Sequence, residues 1–231
     1  MVTNPPATEE TQGIARNAKR VLIVDDHPIV RQGLARLIGQ RSDLEVCGEA
    51  DSLINALQVF SETSPHLVVI DLSLKSGSGM ELIKEIKARN PNTRMLVSSM
   101  HDETLFAERV LRAGAHGFIN KQDALEKILE AAVQVLGGGI YLSPKMSERL
   151  LHRMMSNGED VYKSPMETLS DRELEVFEMI GRGLTTRQIA AKLELSPKTV
   201  ETYRENIKAK LDLENSTALT RHAVQWTLEN S

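Results

Sequence analysis

Three carboxylates close two short apolar runs in this chain. Asp25 and Asp26 follow Arg20-Val21-Leu22-Ile23-Val24, and Asp71 follows Leu67-Val68-Val69-Ile70. Runs this short, rich in Val and Ile and bounded by polar residues, read as strands buried on both faces. Sites in open parallel sheets form outside the carboxyl ends of the strands. Neighbouring strands would therefore bring the three carboxylates into one small volume, where like charges repel and raise each other's pKa. A hard divalent cation with oxygen ligands relieves that repulsion, and Mg²⁺ typically takes one or two carboxylates plus waters and a phosphate. The pattern points to a Mg²⁺-assisted phosphoryl site. Taken singly, each aspartate is equally well explained as a strand end or a helix cap.

The rest of the first half supports a parallel sheet. Apolar runs at Val21–Val24, Leu44–Gly48, Leu67–Ile70, Met95–Ser98 and Gly117–Ile119 predict strands. Helical periodicity falls between and after them, over Ile29–Ile38, Ser52–Phe60 with Asp51 as cap, Gly79–Ala88, Thr104–Ala113 and Asp123–Val135. Alternating strand and helix with short connections implies a doubly wound, five-stranded parallel α/β sheet with helices on both faces. Gly137-Gly138-Gly139 ends the pattern, and Ser143-Pro144 opens another helix to about Met155.

The last quarter is helical throughout. Ser170-Asp171-Arg172-Glu173 and Thr185-Thr186-Arg187-Gln188 are capping boxes, and Ser196-Pro197 starts a further helix. Only Glu194-Leu195-Ser196 separates the helix Thr186–Leu193 from the helix Pro197–Leu211, which is the spacing of a helix-turn-helix. A last helix spans about Thr217–Leu228. The expected organisation is a disordered tail at 1–19, a sheet domain at 20–142, a linker with a helix at 143–167 and an all-α four-helix domain at 168–231.

Composition narrows the function classes. Hydrophobic residues make up 41% and charged residues 26%, as in ordinary soluble proteins. No apolar stretch approaches the roughly 20 residues of a membrane span. Met1 to Lys19 is polar, contains Pro5-Pro6 and lacks the apolar core of a signal peptide. Cys47 is the single cysteine, so no disulfide forms within one chain; a cytoplasmic protein and a small core residue are the natural readings. Residues 20–142 carry 13 Lys and Arg against 16 Asp and Glu, and residues 168–231 carry 9 against 10. Neither half is strongly basic, so any nucleic-acid contact must come from local charge placement.

Two more residues complete the phosphoryl-site pattern. Ser98-Ser99 and Lys121 stand at predicted strand ends, on the same edge as the aspartates. A phosphoryl group on Asp71 would need a cation, a hydroxyl and a positive side chain, the roles that Mg²⁺, Ser99 and Lys121 fit. A strand-end serine is otherwise a helix cap, and a strand-end lysine is otherwise solvated. Together Asp25, Asp26, Asp71, Ser99 and Lys121 resemble the receiver domain of two-component response regulators over about residues 20–136. The resemblance implies that Asp71 accepts a phosphoryl group from a sensor histidine kinase. It implies Asp26, Asp71 and the carbonyl of Ser73 as direct Mg²⁺ ligands, with Asp25 acting through water. It also implies Ser99 and Phe118 as the switch pair, hydroxyl toward phosphoryl and ring inward. Two serines occur in tandem, and alignment of the strand end with Met100-His101 favours Ser99 over Ser98.

The helix from Pro197 carries Val200, Tyr203, Ile207 and Leu211 as a buried stripe. Its opposite face presents Lys198, Thr199, Glu201, Thr202, Arg204, Glu205 and Lys208, side chains able to read base edges or hold phosphates in a major groove. An ordinary solvated helix face has the same composition. Leu169 to Glu173, Gln188-Ile189-Ala190 and Ser196 to Val200 resemble the LuxR-type helix-turn-helix, and the whole chain resembles NarL/FixJ-type response regulators. That resemblance implies double-stranded DNA with a palindromic site as partner. It implies a homodimer on activation, pairing through the last helix, whose apolar side with Leu219, Ala223 and Trp226 suits that, although packing within the domain explains part of it. Because a polar linker joins the two domains, control must pass through inter-domain contact or dimerisation, and the expectation is that the resting receiver restricts the recognition helix. Asp212 and Glu214 depart from the small or basic residues that relatives often carry there, which should weaken phosphate contact. Two other classes compete. A Mg²⁺-dependent phosphotransferase or phosphatase would need a substrate cap that loops of 2–6 residues do not provide. An interaction module whose second domain binds protein rather than DNA is compatible with that domain's near-neutral charge.

Overall fold

The computed structural model describes residues 18–74, 77–123, 125–155 and 165–230. The tail to residue 17 and the polar stretch 156–164, expected to be disordered and a linker respectively, lie outside the described residues. Five strands, β1 (Lys19–Val24), β2 (Leu44–Ala50), β3 (Leu67–Ile70), β4 (Arg94–Ser99) and β5 (Gly117–Asn120), form one sheet in the order β2-β1-β3-β4-β5. All neighbours are parallel. The order reverses between β1 and β3, the switch point at which open sheets hold ligands.

Alternation along the strands divides the core into two layers. Leu22, Val24, Val68, Ile70, Met95, Val97 and Phe118 face one side, while Val21, Ile23, Leu67, Val69, Leu96 and Ile119 face the other. Helices α2 (Leu53–Thr63), α3 (Gly79–Arg89) and α4 (Glu103–Ala113) cover the first side with Ala56, Phe60, Leu82, Ile83, Ile86, Phe106 and Val110. Helices α1 (Pro28–Ile38) and α5 (Leu125–Leu136) cover the second with Leu34, Ile38, Ile128, Ala131 and Val135. The N-cap position of α2 falls on Ser52 rather than Asp51, and the Ser52 side chain makes no capping hydrogen bond. The Asp51 carboxyl is held below its ordinary value mainly by hydrogen bonds from Asn55 and Ser52.

Helix α6 (Pro144–Met155) follows the sheet unit. Beyond 164 a 3-10 turn at Pro165–Thr168 leads into α7 (Asp171–Gly181), α8 (Thr186–Lys192), α9 (Pro197–Lys210) and α10 (Ser216–Asn230). Both predicted capping boxes form, with Ser170 and Glu173 at α7 and Thr185 and Gln188 at α8. Between α8 and α9 the chain turns at Glu194, whose φ is +54°. Val200 and Ile207 of α9, Leu219 and Ala223 of α10 and Leu174, Phe177 and Ile180 of α7 are all buried in one cluster. Phe177 stacks near His222 and edge-on to Trp226, with ring centroids 5.9 and 6.2 Å away. The side of α10 expected to meet a second copy therefore packs within its own unit.

Close helix approach depends on Gly181. A Cβ there would stand 2.2 Å from Thr227 Oγ1 and 2.6 Å from the Ala223 carbonyl oxygen. The threonine can rotate, but the backbone oxygen cannot. Gly181→Ala gains about 1 kcal/mol of helix propensity and incurs about 1–3 kcal/mol of overpacking. The expected result is a lower denaturant midpoint for the helical unit, measured by circular dichroism, with the sheet unit unaffected.

Candidate functional site

The ladder continues one residue past the strands and sets the aspartates side by side. Asp25 N donates to the Ala50 carbonyl at 3.0 Å and Asp71 N to the Val24 carbonyl at 2.8 Å. Behind Asp71 the start of α3 packs on its backbone: a Cβ on Gly79 would lie 2.2 Å from the Asp71 carbonyl oxygen, so only glycine permits this approach. Asp25 and Asp71 are 2% and 3% exposed.

Lys121 resolves part of the charge conflict. Its Nζ lies 2.7 Å from Asp25 Oδ2 and 2.6 Å from Asp71 Oδ2. Burial pushes the Asp71 carboxyl above its ordinary value, Lys121 pulls it back, and Asp25 pushes it up again. Burial also opposes charge on Lys121, but Asp71 and Asp25 outweigh it and hold the ammonium above its ordinary value. Ser73 N donates to Asp71 Oδ1 at 3.2 Å.

One ammonium among three aspartates leaves unbalanced negative charge. Ligand atoms of Asp25, Asp26, His27 and Asp71 all lie within 4.8 Å of one another. Asp26 Oδ1 is buried with no hydrogen bond, although His27 Nδ1 approaches it to 2.5 Å. Three carboxylates gathered at this edge fit a hard divalent cation such as Mg²⁺. Asp25, Asp26 and Asp71 are the carboxylates that stand together here, and His27, which the sequence reading did not include, belongs to the same group at its exposed side.

The tandem serines separate by strand alternation. Val97 pairs with Phe118 across β4 and β5, and Ser99 shares their face, whereas Ser98 points with Leu96 to the other. Ser98 Oγ is buried without a hydrogen-bond partner; Ser99 Oγ accepts from His101 N at 3.3 Å. Phe118 is fully buried, its ring within the core on the side of Ser99.

The second group of candidates stays together on α9. Lys198, Glu201, Thr202 and Glu205 are exposed, and Thr199, Arg204 and Lys208 are partly so. Arg204 Nε lies 3.7 Å from Glu201 and Lys208 Nζ 2.9 Å from Glu205, so both cations are paired along the helix. Glu201 also accepts from Thr186 Oγ1 at 2.7 Å. Asp212 and Glu214 beyond the helix are exposed.

The two units touch through α7, which the sequence reading did not foresee. His101 Nδ1 is hydrogen-bonded to Glu178. Arg109 donates to Asp171 Oδ1 at 3.2 Å and to the Met166 carbonyl at 2.9 Å, and Arg182 donates to the Met100 carbonyl at 2.8 Å. Glu173, Glu175 and Glu178 are all buried. No local signal marks these residues, because each partner lies far away in sequence. The outer face of α9, expected to be restricted by the receiver, keeps the exposure described above; these contacts fall on α7 instead.

Comparison with known proteins fits this architecture. Residues 21–133 match the response regulator receiver domain, and residues 167–223 match the luxR family of bacterial regulatory proteins. A putative transcriptional regulator of Pseudomonas aeruginosa is 38% identical over 193 residues, 84% of this chain and 91% of its own. The response regulator GacA of the same organism is 34% identical over 206 residues, 89% and 95% of the two chains.

The chain belongs to the response regulators.

Among solved structures, RcsB of Salmonella enterica serovar Typhimurium, bound to a promoter in the presence of a phosphomimetic, is similar to this response regulator. It is 30% identical, covers 90% of this chain and 98% of its own, and superposes with a TM-score of 0.62. The chain thus combines a receiver with a LuxR-type DNA-binding domain, the architecture of transcriptional regulators in two-component systems. Among the described residues no helix is long and apolar enough to cross a membrane.

Lys121 is the test of the charge balance in this site. Lys121→Ala leaves two buried carboxylates unpaired and should cost about 3–5 kcal/mol in chelator-treated protein. Added Mg²⁺ should restore more thermal stability to the variant than to the parent, because the ammonium no longer competes for Asp71. Thermal melts with and without Mg²⁺ measure both effects.

Proposed function

We propose that this response regulator is a phosphorylation-controlled transcription regulator whose phosphoacceptor is Asp71. The observation that carries the reading is the pairing of Lys121 with both Asp25 and Asp71 at the carboxyl edge of the sheet, in a chain that continues into a LuxR-type domain. A sensor histidine kinase supplies the phosphoryl group. An Asp71 carboxylate oxygen attacks phosphorus as the P–N bond of a phosphohistidine breaks, and the imidazole leaves with its electron pair. Asp26, Asp71 and the Ser73 carbonyl would hold Mg²⁺, with Asp25 acting through water, and the ion would supply electrostatic stabilisation of the phosphoryl oxygens when bound. Lys121 has its ammonium already at Asp71 Oδ2 and can move with that charge to a phosphoryl oxygen. Ser99 exchanges the His101 amide for the phosphoryl group, and Phe118 occupies the space beside it. The catalysis is confined to the protein's own phosphorylation and dephosphorylation, so it is no enzyme toward outside substrates.

The output is DNA binding in the cytoplasm, as a dimer on a palindromic site. The exposed side of α9 supports this reading, as does the relation to RcsB, whose structure includes a promoter. Lys198, Thr199, Glu201, Thr202, Arg204, Glu205 and Lys208 enter the major groove. Because Glu201 and Glu205 hold Arg204 and Lys208, whose side chains are only 12% and 16% exposed, binding must break these pairs and draw the cations outward.

Two experiments test the proposal. Asp71→Asn should abolish uptake of a phosphoryl group from acetyl phosphate, read by intact mass, because the amide is a poor nucleophile; undiminished uptake would refute the assignment. Arg204→Ala or Lys208→Ala should weaken DNA binding by about 1–3 kcal/mol for a base contact, or lower the salt slope by about one for a phosphate contact. Titration on genomic fragments selected by the phosphorylated protein measures either change. Failure of the phosphorylated parent to select any DNA would favour a protein-binding output.

A further inference from the structure

One acid on the outer face of α9 is held from a second helix. Glu201 stands near the start of α9, where side chains of a helix-turn-helix reach base edges. Its Oε1 accepts from Thr186 Oγ1 of α8 at 2.7 Å. Its Oε2 faces Arg204 Nε at 3.7 Å, too far for a hydrogen bond. Glu205, one turn on, is paired instead with Lys208 of its own helix at 2.9 Å.

The support for this contact is rigid. Thr186 is the first residue of α8 and follows the capping box, in which Gln188 Oε1 accepts from both N and Oγ1 of Thr185 at 2.9 Å. Ile189 and Ala190 of α8 and Val200 of α9 are buried in one cluster, which fixes the two helices against each other. The hydroxyls beside Glu201 are turned to the helix itself. Thr202 Oγ1 donates to the Lys198 carbonyl at 3.1 Å, and Thr199 Oγ1 is hydrogen-bonded to Ser196 Oγ at 2.7 Å. Glu201 is thus an exposed acceptor, pinned in place, at the reading end of α9.

We propose that Thr186 is a positioning residue for base reading: it holds the Glu201 carboxylate so that α9 demands cytosine at one position of each half-site. The inference rests on the reading of α9 as the helix that enters the major groove. A carboxylate accepts hydrogen bonds and cannot donate them. In that groove cytosine presents its N4 amino group, guanine and thymine present acceptors, and adenine sets N7 beside its amino group. A fixed carboxylate therefore attracts cytosine and meets a lone pair on each of the other bases. When Arg204 turns outward to DNA, Oε2 opens toward the base, and Thr186 keeps the group from swinging away. A free glutamate would retreat from a wrong base; a pinned one cannot, so the hydroxyl turns a tolerant side chain into one that rejects three bases.

Selection from a random duplex pool tests the assignment. The full-length protein is used with and without acetyl phosphate and Mg²⁺, and the selected duplexes are sequenced and titrated. The parent should show cytosine at one position of each half-site, favoured about ten-fold or more over each other base. Thr186→Val removes the hydroxyl at nearly equal size. It should cut that preference to about three-fold or less, with the other positions and the salt slope as in the parent. Thr186→Ser, which keeps the hydroxyl, should restore it. Glu201→Gln can still accept from Thr186 through its amide oxygen, which turns the NH₂ to the base, so the same position should change to guanine or thymine. A merely structural role for Thr186 would weaken binding to every duplex alike and leave the cytosine in place. That result would overturn the proposal, as would cytosine retained by Glu201→Gln, or a parent that binds duplexes without selecting cytosine. A parent that binds no duplex in either state would instead sink the DNA-binding reading, and the inference with it.

Discussion

Two buried carboxylates at the carboxyl edge of a parallel sheet, Asp25 and Asp71, share the ammonium of Lys121. Most of what surrounds them follows from that crowding. Adjacent strands β1 and β3 place the aspartates together, and β5 brings the lysine across from the other side of β4. The glycine that begins α3 lets that helix press against the Asp71 backbone. One positive charge cannot balance the cluster, so the edge is suited to a further cation, and its charge state is coupled to whatever packs above it.

What packs above it is the DNA-binding unit. An aspartyl site needs access to a donor, yet here it lies beneath a helix with three buried glutamates. Charged groups are buried at a cost recovered only through good partners. Each of the three has one: His101 and Arg182 for Glu178, Arg172 for Glu175, Lys210 and Ser170 for Glu173. For Glu178 burial works to raise the pKa, but the His101 contact and its neighbours outweigh it and hold the carboxyl below its ordinary value. For Glu175 burial wins over Arg172 and the carboxyl is pushed up. An interface built on such pairs is sensitive to added charge in a way that an apolar interface is not.

The recognition helix illustrates a related balance. Its outer face carries acids and bases in pairs, Glu201 with Arg204 and Glu205 with Lys208, which keeps the free domain nearly neutral. The carboxylates of these pairs are exposed, while the Arg204 and Lys208 side chains are only 12% and 16% exposed. Leu219 and Ala223 are buried in the cluster with α7, Trp226 is half-buried beside Phe177, and Leu228 is the large apolar residue exposed on α10.

The strands, most helix starts and the aspartates with their lysine were legible in the sequence, because each rests on local rules. Apolar run length marks a buried strand, Ser170-x-x-Glu173 and Thr185-x-x-Gln188 satisfy their own amides, and strand ends of a parallel sheet share one edge. Local rules failed first where two residues compete for one role, as with Asp51 and Ser52 at the start of α2. They failed more completely for contacts between distant segments. The chain alone gave no reason to join His101 to Glu178 or Arg109 to Asp171, nor to bury acids that helical spacing leaves ambiguous. Nor could it say whether the apolar side of the last helix serves its own domain or a second copy. Sequence determined which elements form and which chemistry they carry, since backbone hydrogen bonding and side-chain periodicity act over a few residues. Tertiary structure decided the pairing of buried charges, since desolvation is settled only when the whole chain has excluded water.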